Sequence, residues 1–76
     1  MKAIVRVMPK PGVLDPQGAA IAQALVAMGH DGVGEVRQGK LIELDLPEGT
    51  PPETVREMCE QLLANTVIES YEVELG

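Results

Sequence analysis

Pro11-Gly12-Val13-Leu14-Asp15-Pro16-Gln17-Gly18 separates an apolar, β-branched run from a run with helical spacing, and its reading decides how the chain is divided. Asp15 stands where a helix N-cap belongs. Pro16 takes the first helical position, where its missing N–H costs nothing. Gly18 then falls at N3, where capping alone does not ask for glycine. A rigid loop presented to a protein partner and a plain helix cap are both open readings of the block.

On the upstream side, residues 2–8 alternate, with Ala3, Val5 and Val7 on one face and Ile4, Arg6 and Met8 on the other, which predicts a strand. Downstream, Ile21, Leu25 and Met28 recur at helical spacing with Ala24 beside them, so a helix is expected over 16–28, stopped by Gly29 at C′. Residues 33–37 predict a strand weakened by Gly34, and Gln38-Gly39 a hairpin turn in which Gly39 takes a positive φ. Residues 41–46 are the clearest strand: Ile42, Leu44 and Leu46 oppose Leu41, Glu43 and Asp45. Thr50-Pro51-Pro52-Glu53 reads as a capping box with proline at the first helical position. The helix behind it carries Val55, Met58, Cys59, Leu62 and Leu63 on one stripe and ends near Asn65, expected as a left-handed cap. A last strand over 67–75 sets Val67, Tyr71, Val73 and Leu75 against Ile68, Ser70, Glu72 and Glu74.

The order β-α-β-β-α-β is that of ferredoxin-like α+β sandwiches. It predicts a four-stranded antiparallel sheet with strands one and three at its centre and both helices on one face. The other face carries Ile4, Met8, Leu41 and Ile68 among charges, too apolar for plain solvent, so that face or the final edge strand is expected to meet another subunit.

At 76 residues the chain is one domain, 1–76. A chain this short buries only about 60–65% of its unfolded surface, so its own core is thin. One cysteine, Cys59, rules out an internal disulfide, and one histidine, His30, leaves no metal cluster. Association is then the expected source of stability. Tyr71 is the only aromatic residue and the formal net charge is −6, which argues against stacking on bases or gripping a phosphate backbone. With no apolar stretch near ~20 residues and no signal-like segment, no membrane role is expected and a cytoplasmic location is.

No constellation points to catalysis by this chain. His30 follows a helix end, where a cation is mildly favoured, and has no titratable partner at a recognisable spacing. Cys59 lies on the apolar stripe and reads as a small hydrophobe. Gly29, Gly32 and Gly34 lead from helix to strand, the reverse of a phosphate loop. Asp15 already fills the anion position at the first helix, which disfavours phosphate there. Asp45, Glu69, Glu72 and Glu74 scatter between faces as solvated charge, and Met8, Met28 and Met58 fall on separate elements as gap fillers. Arg37 and Lys40 flank the hairpin turn and could grip an acidic partner.

The chain resembles the PurS family, the small subunit of phosphoribosylformylglycinamidine synthase where that enzyme is split into separate polypeptides. The resemblance runs nearly end to end. It rests on the opening strand, the Pro11 to Gly18 block, Val36-Arg37-Gln38-Gly39-Lys40, Cys59 through Leu63-Ala64-Asn65, and Val67-Ile68-Glu69-Ser70-Tyr71. Thr66 departs from a family proline. The resemblance implies a part in the fourth step of purine synthesis, in which formylglycinamide ribonucleotide, glutamine and ATP yield the formylglycinamidine ribonucleotide, glutamate, ADP and phosphate. It implies a synthetase subunit, PurL, holding ATP and Mg²⁺, and a glutaminase subunit, PurQ, making ammonia with its own cysteine. This chain would bind no cofactor, associate with itself as a dimer or larger, and bridge the other two. Pro11, Gly12, Asp15, Pro16, Gln17, Gly18, Arg37 and Lys40 are the candidate partner contacts, chosen for rigidity and charge. The alternative is a small regulatory module of ferredoxin-like fold that binds an amino acid or similar ligand between subunits.

Overall fold

A computed structural model describes residues 1–76. β1 (Lys2–Pro9) forms the middle of a three-stranded sheet, flanked by β2 (Lys40–Asp45) and β3 (Glu69–Leu75), each antiparallel to it. The register stacks one apolar face in rungs. Val5 lies between Ile42 and Val73, and Ala3 between Leu44 and Leu75. Strand alternation sends the same residues inward on all three strands, so register and core are one fact. Above them lies α2 (Pro52–Met58), continued by a π-helical segment, Cys59–Leu63. Ala3, Val5, Val7, Val55, Cys59 and Ala64 form the core.

Four expectations for the second half need correction. The Thr50 hydroxyl donates to the Pro47 carbonyl at 2.6 Å, and extended Pro51 becomes the N-cap, so no capping box forms. The wider π turn, closed by the Ala64 N–H on the Cys59 carbonyl, turns Ala64 inward and leaves Leu62 83% exposed, off the expected stripe. Asn65 takes no positive φ; its side-chain oxygen accepts from the Val67 N–H in an Asx turn. The last strand therefore starts at Glu69, and Val67 and Ile68 belong to the turn before it.

The first half departs further. α1 (Pro16–Ala27) forms as expected, and Gly29 at φ 101° closes it: its N–H donates to Val26 and that of His30 to Leu25. Yet no residue of α1 joins the core, and only Gly18 of the helix is buried. Residues 33–37 form no strand and no hairpin, because they run back along α1 instead of pairing with β2. Gly39 takes no positive φ; it lies against the Val7 carbonyl, where a Cβ would sit 2.2 Å from the oxygen. The sheet thus has three strands where four were expected, and of the two helices expected on one face only α2 covers it. The Cα radius of gyration is 15.7 Å and the extents 49 × 24 × 14 Å. A compact chain of this length has a radius near 11 Å. α1 and its returning segment form an arm.

Candidate functional site

The loop between β1 and α1 begins with a type II turn: the Val13 N–H donates to the Lys10 carbonyl, with Pro11 and Gly12 between them and Gly12 at φ 84°. Both residues are exposed. Asp15 then does two things at once. Its Oδ1 accepts the Gly18 N–H at 2.9 Å, capping α1, and its Oδ2 accepts the Gln38 N–H at 2.8 Å, far along the chain. Gln38 reinforces the joint by donating from Nε2 to Gln17 Oε1 at 2.8 Å. The Arg37 guanidinium donates to the Pro9 carbonyl. Gly18 has its second reason here: a Cβ would stand 2.2 Å from the Val36 carbonyl oxygen. The returning backbone crosses too close for any side chain.

The two stretches singled out in the sequence, 11–18 and 37–40, therefore meet at one joint, where Gln38 bonds Asp15 and Gln17, with Gly18 against Val36 and Arg37 on Pro9 beside it. Pro16 lines the groove beside it, whose other walls include Pro9, Leu14, Gln38 and Ile68. The Lys10 N–H donates to the Ile68 carbonyl at 2.9 Å, and Lys10 Nζ to that of Thr66 at 2.7 Å, which brings the turn before β3 to the same place. Lys40 is not part of it. It is exposed at the start of β2, opposite Val7, and borders a separate pocket with Arg6, Leu41 and Glu72. Sequence reasoning made no assignment for Leu14, 82% exposed, and placed Ile68, 43% exposed, on the outer sheet face instead of in this groove. An apolar residue inside a Pro/Gly loop, outside any strand or helix period, was the available signal for Leu14. Exposed apolar side chains beside a hydrogen-bonded, rigid joint suit contact with another protein.

The Asp15 carboxyl is held below the ordinary range, chiefly by the Gln38 N–H, then by that of Gly18. A depressed folded value means that this anchoring is fully present above the unfolded aspartate value of about 3.9 and is lost as pH falls through the folded one. The amide resonances of Gly18 and Gln38 are expected to titrate together with a midpoint below about 3.9, and in Asp15→Asn to lose that transition. A midpoint at or above it would contradict the joint. Elsewhere, burial first, with the Glu60 charge, pushes the Cys59 thiol up, consistent with an inert core residue. His30 is exposed at the end of the arm. A hydrogen bond to Glu60 raises the Tyr71 phenol.

Comparison with known proteins is decisive. The family model described as PurS, phosphoribosylformylglycinamidine (FGAM) synthase, matches residues 2–76. This chain belongs to the PurS family. A PurS subunit of phosphoribosylformylglycinamidine synthase from Mycobacterium leprae is 46% identical over 72 residues, covering 95% of this chain and 91% of its own. The C2 crystal form of Bacillus subtilis PurS superposes with a TM-score of 0.87 at 48% identity, covering 96% and 94%. A chain of the structure of PurLQS from Thermotoga maritima superposes with a TM-score of 0.79 at 34% identity, covering 96% and 93%. The PurS blocks at 11–18 and 36–40 are those that the structure ties together at Asp15 and Gln38. Among its helices, none is long and apolar enough to cross a membrane.

Proposed function

We propose that this chain is the non-catalytic bridging subunit of FGAM synthase, a cytoplasmic complex of de novo purine biosynthesis, and that it holds a PurQ glutaminase and a PurL synthetase in register for ammonia transfer. The likeness to a chain of the Thermotoga PurLQS structure carries this reading. The residues support it. The one thiol is sealed in the core, and the groove at Asp15 and Gln38 offers a rigid contact surface rather than a reacting pair. Ammonia gives the bridge its physical purpose, because a small reactive intermediate is lost to protonation and diffusion unless donor and acceptor sites are held together and dry. ATP and Mg²⁺ belong to the synthetase subunit, and this chain binds neither.

Self-association as a dimer or larger is part of the proposal. Six core residues are few, and the arm carries apolar surface that its own protomer does not cover. The four-stranded, ferredoxin-like layout would then be completed between copies. Family membership displaces the alternative of a free-standing regulatory module.

Reconstitution tests the bridge. A PurL–PurQ pair is expected to lose most of its glutamine-dependent synthesis when this chain is left out, while synthesis from added ammonia falls much less. Equal glutamine-dependent rates with and without the chain would overturn the proposal.

A further inference from the structure

β3 is an edge strand whose outer side no strand pairs. It ends the order β2-β1-β3, and in a four-stranded layout the missing strand belongs beside β2, on the far side. The ladder fixes which backbone groups face out. The Gly76 N–H donates to the Lys2 carbonyl at 3.0 Å, and the Lys10 N–H to the Ile68 carbonyl at 2.9 Å. Hydrogen-bonded and non-hydrogen-bonded positions alternate in an antiparallel pair, so Ser70, Glu72 and Glu74 are the residues that bond to β1. The N–H and C=O groups of Tyr71, Val73 and Leu75 point the other way, to the unoccupied edge.

Proteins guard such an edge with lysine, proline, a bulge or a very short strand. β3 has none of these: its seven residues keep an unbroken register with β1 and include neither proline nor lysine. What it carries is acid. Glu72 and Glu74 stand on the open sheet face; Arg6 pairs with Glu74 at 3.4 Å, and Glu72 makes no ion pair. On the covered face Tyr71 and Val73 remain half-buried, with room beside them for an apolar neighbour. The first residue of the strand, Glu69, also lines the groove beside Asp15, so the edge continues the contact surface described above.

These charges choose the occupant. Pairing β3 with itself, antiparallel and along its full length, places Glu72 directly opposite the same glutamate of a second copy, and like charges so placed are destabilising. A strand with lysine or arginine at that position meets Glu72 favourably. We infer that β3 is a strand-addition site for an extended segment of a different polypeptide, basic on the side of Glu72 and apolar on the side of Tyr71 and Val73. Main-chain bonds to Tyr71, Val73 and Leu75 supply the affinity, and the alternation of basic and apolar side chains sets the register. The site rests on the bridging function proposed above, because a subunit of that complex supplies the added strand.

Hydrogen exchange in this chain, alone and assembled with the PurL–PurQ pair, tests the site amide by amide. Assembly is expected to slow the amides of Tyr71, Val73 and Leu75 by about tenfold or more. Those of Ser70, Glu72 and Glu74 are already bonded to β1 and stay slow in both states. Val73→Pro removes an outward donor but no bond to β1, and is expected to weaken assembly about tenfold. Val73→Ala keeps the donor and should assemble nearly as the unmodified chain does. Glu72→Lys, on the exposed face, should also assemble about tenfold more weakly. Melting curves show which variants are folded, and if Val73→Pro is not, the exchange pattern and Glu72→Lys still decide. Equal exchange at 71, 73 and 75 in a complex active with glutamine overturns strand addition and leaves the bridge standing. So does unchanged assembly by folded Val73→Pro or by Glu72→Lys. Slow exchange at those amides in the free chain means that a second copy holds the edge, and overturns it too. A chain that neither joins the pair nor supports synthesis sinks both.

Discussion

Gly18→Ala is expected to destabilise the protein, although alanine is the better helix former. In an open helix the exchange is favourable by roughly 1 kcal/mol, with less at the first turn. Here a Cβ would stand 2.2 Å from the Val36 carbonyl oxygen and 2.6 Å from Asp15 Oδ2. Neither neighbour yields cheaply. The carbonyl belongs to backbone held two residues on by the Gln38 N–H, and the carboxylate already accepts at both oxygens. Overpacking of a tight site costs about 1–3 kcal/mol, so the clash outweighs propensity and the net loss is near 1–2 kcal/mol. At this chain length that lowers Tm by about 5–15 °C. Gly18→Val, which adds bulk without the propensity gain, should fall further. Calorimetry decides the matter, and an unchanged or raised Tm for Gly18→Ala would show that the returning segment does not cross at Gly18. Loss of the joint should also lower the dimer fraction, since the joint fixes where the arm points.

Much of the fold was legible because its signals are local. The alternation of Ala3, Val5 and Val7 marks the central strand, and proline at the first helical position marks both helix starts within a residue. What was not legible depends on where backbone groups find partners. Residues 33–37 have the composition of a weak strand, but the Gln38 N–H is spent on Asp15, and the segment follows α1 instead of β2. The pattern Thr50-x-x-Glu53 satisfies the capping formula, yet two prolines shift the cap to Pro51 and free the Thr50 hydroxyl for Pro47. An i→i+5 turn at Cys59 changes which later residues point inward, and helical periodicity carries no warning of it. The stripe of α1 shows the deepest limit. Ile21, Leu25 and Met28 read the same whether they cover their own sheet or another copy's, because periodicity reports that a face is apolar, never whose surface it meets. At the candidate site, Asp15 was legible from capping chemistry, and Gly18 stood out because capping does not require it. Gln38 was not, since its role is a contact across 23 positions of sequence.

Val5→Asp is expected to abolish folding at room temperature, the largest single-residue effect in the chain. Val5 is fully buried, lies between Ile42 and Val73 in the middle rung of the sheet, and belongs to a core of six residues. No basic side chain lies on that face of β1, where Ala3 and Val7 are its neighbours. Placing an uncompensated carboxylate there costs upwards of about 4 kcal/mol, and a domain this small stands at the low end of the usual 5–15 kcal/mol range. Val5→Ala isolates the packing part: two lost methyls and the space they leave should cost about 2 kcal/mol. Arg6→Ala, one residue on but on the opposite, exposed face, removes only the ion pair to Glu74 and should cost below about 1 kcal/mol. Circular dichroism and urea midpoints on the three variants give the comparison. The steep ranking Asp over Ala at 5, with position 6 nearly silent, follows only if one sheet face carries the protomer. A cooperative melt for Val5→Asp would place the stability elsewhere, in contacts between copies strong enough to fold the chain without this core.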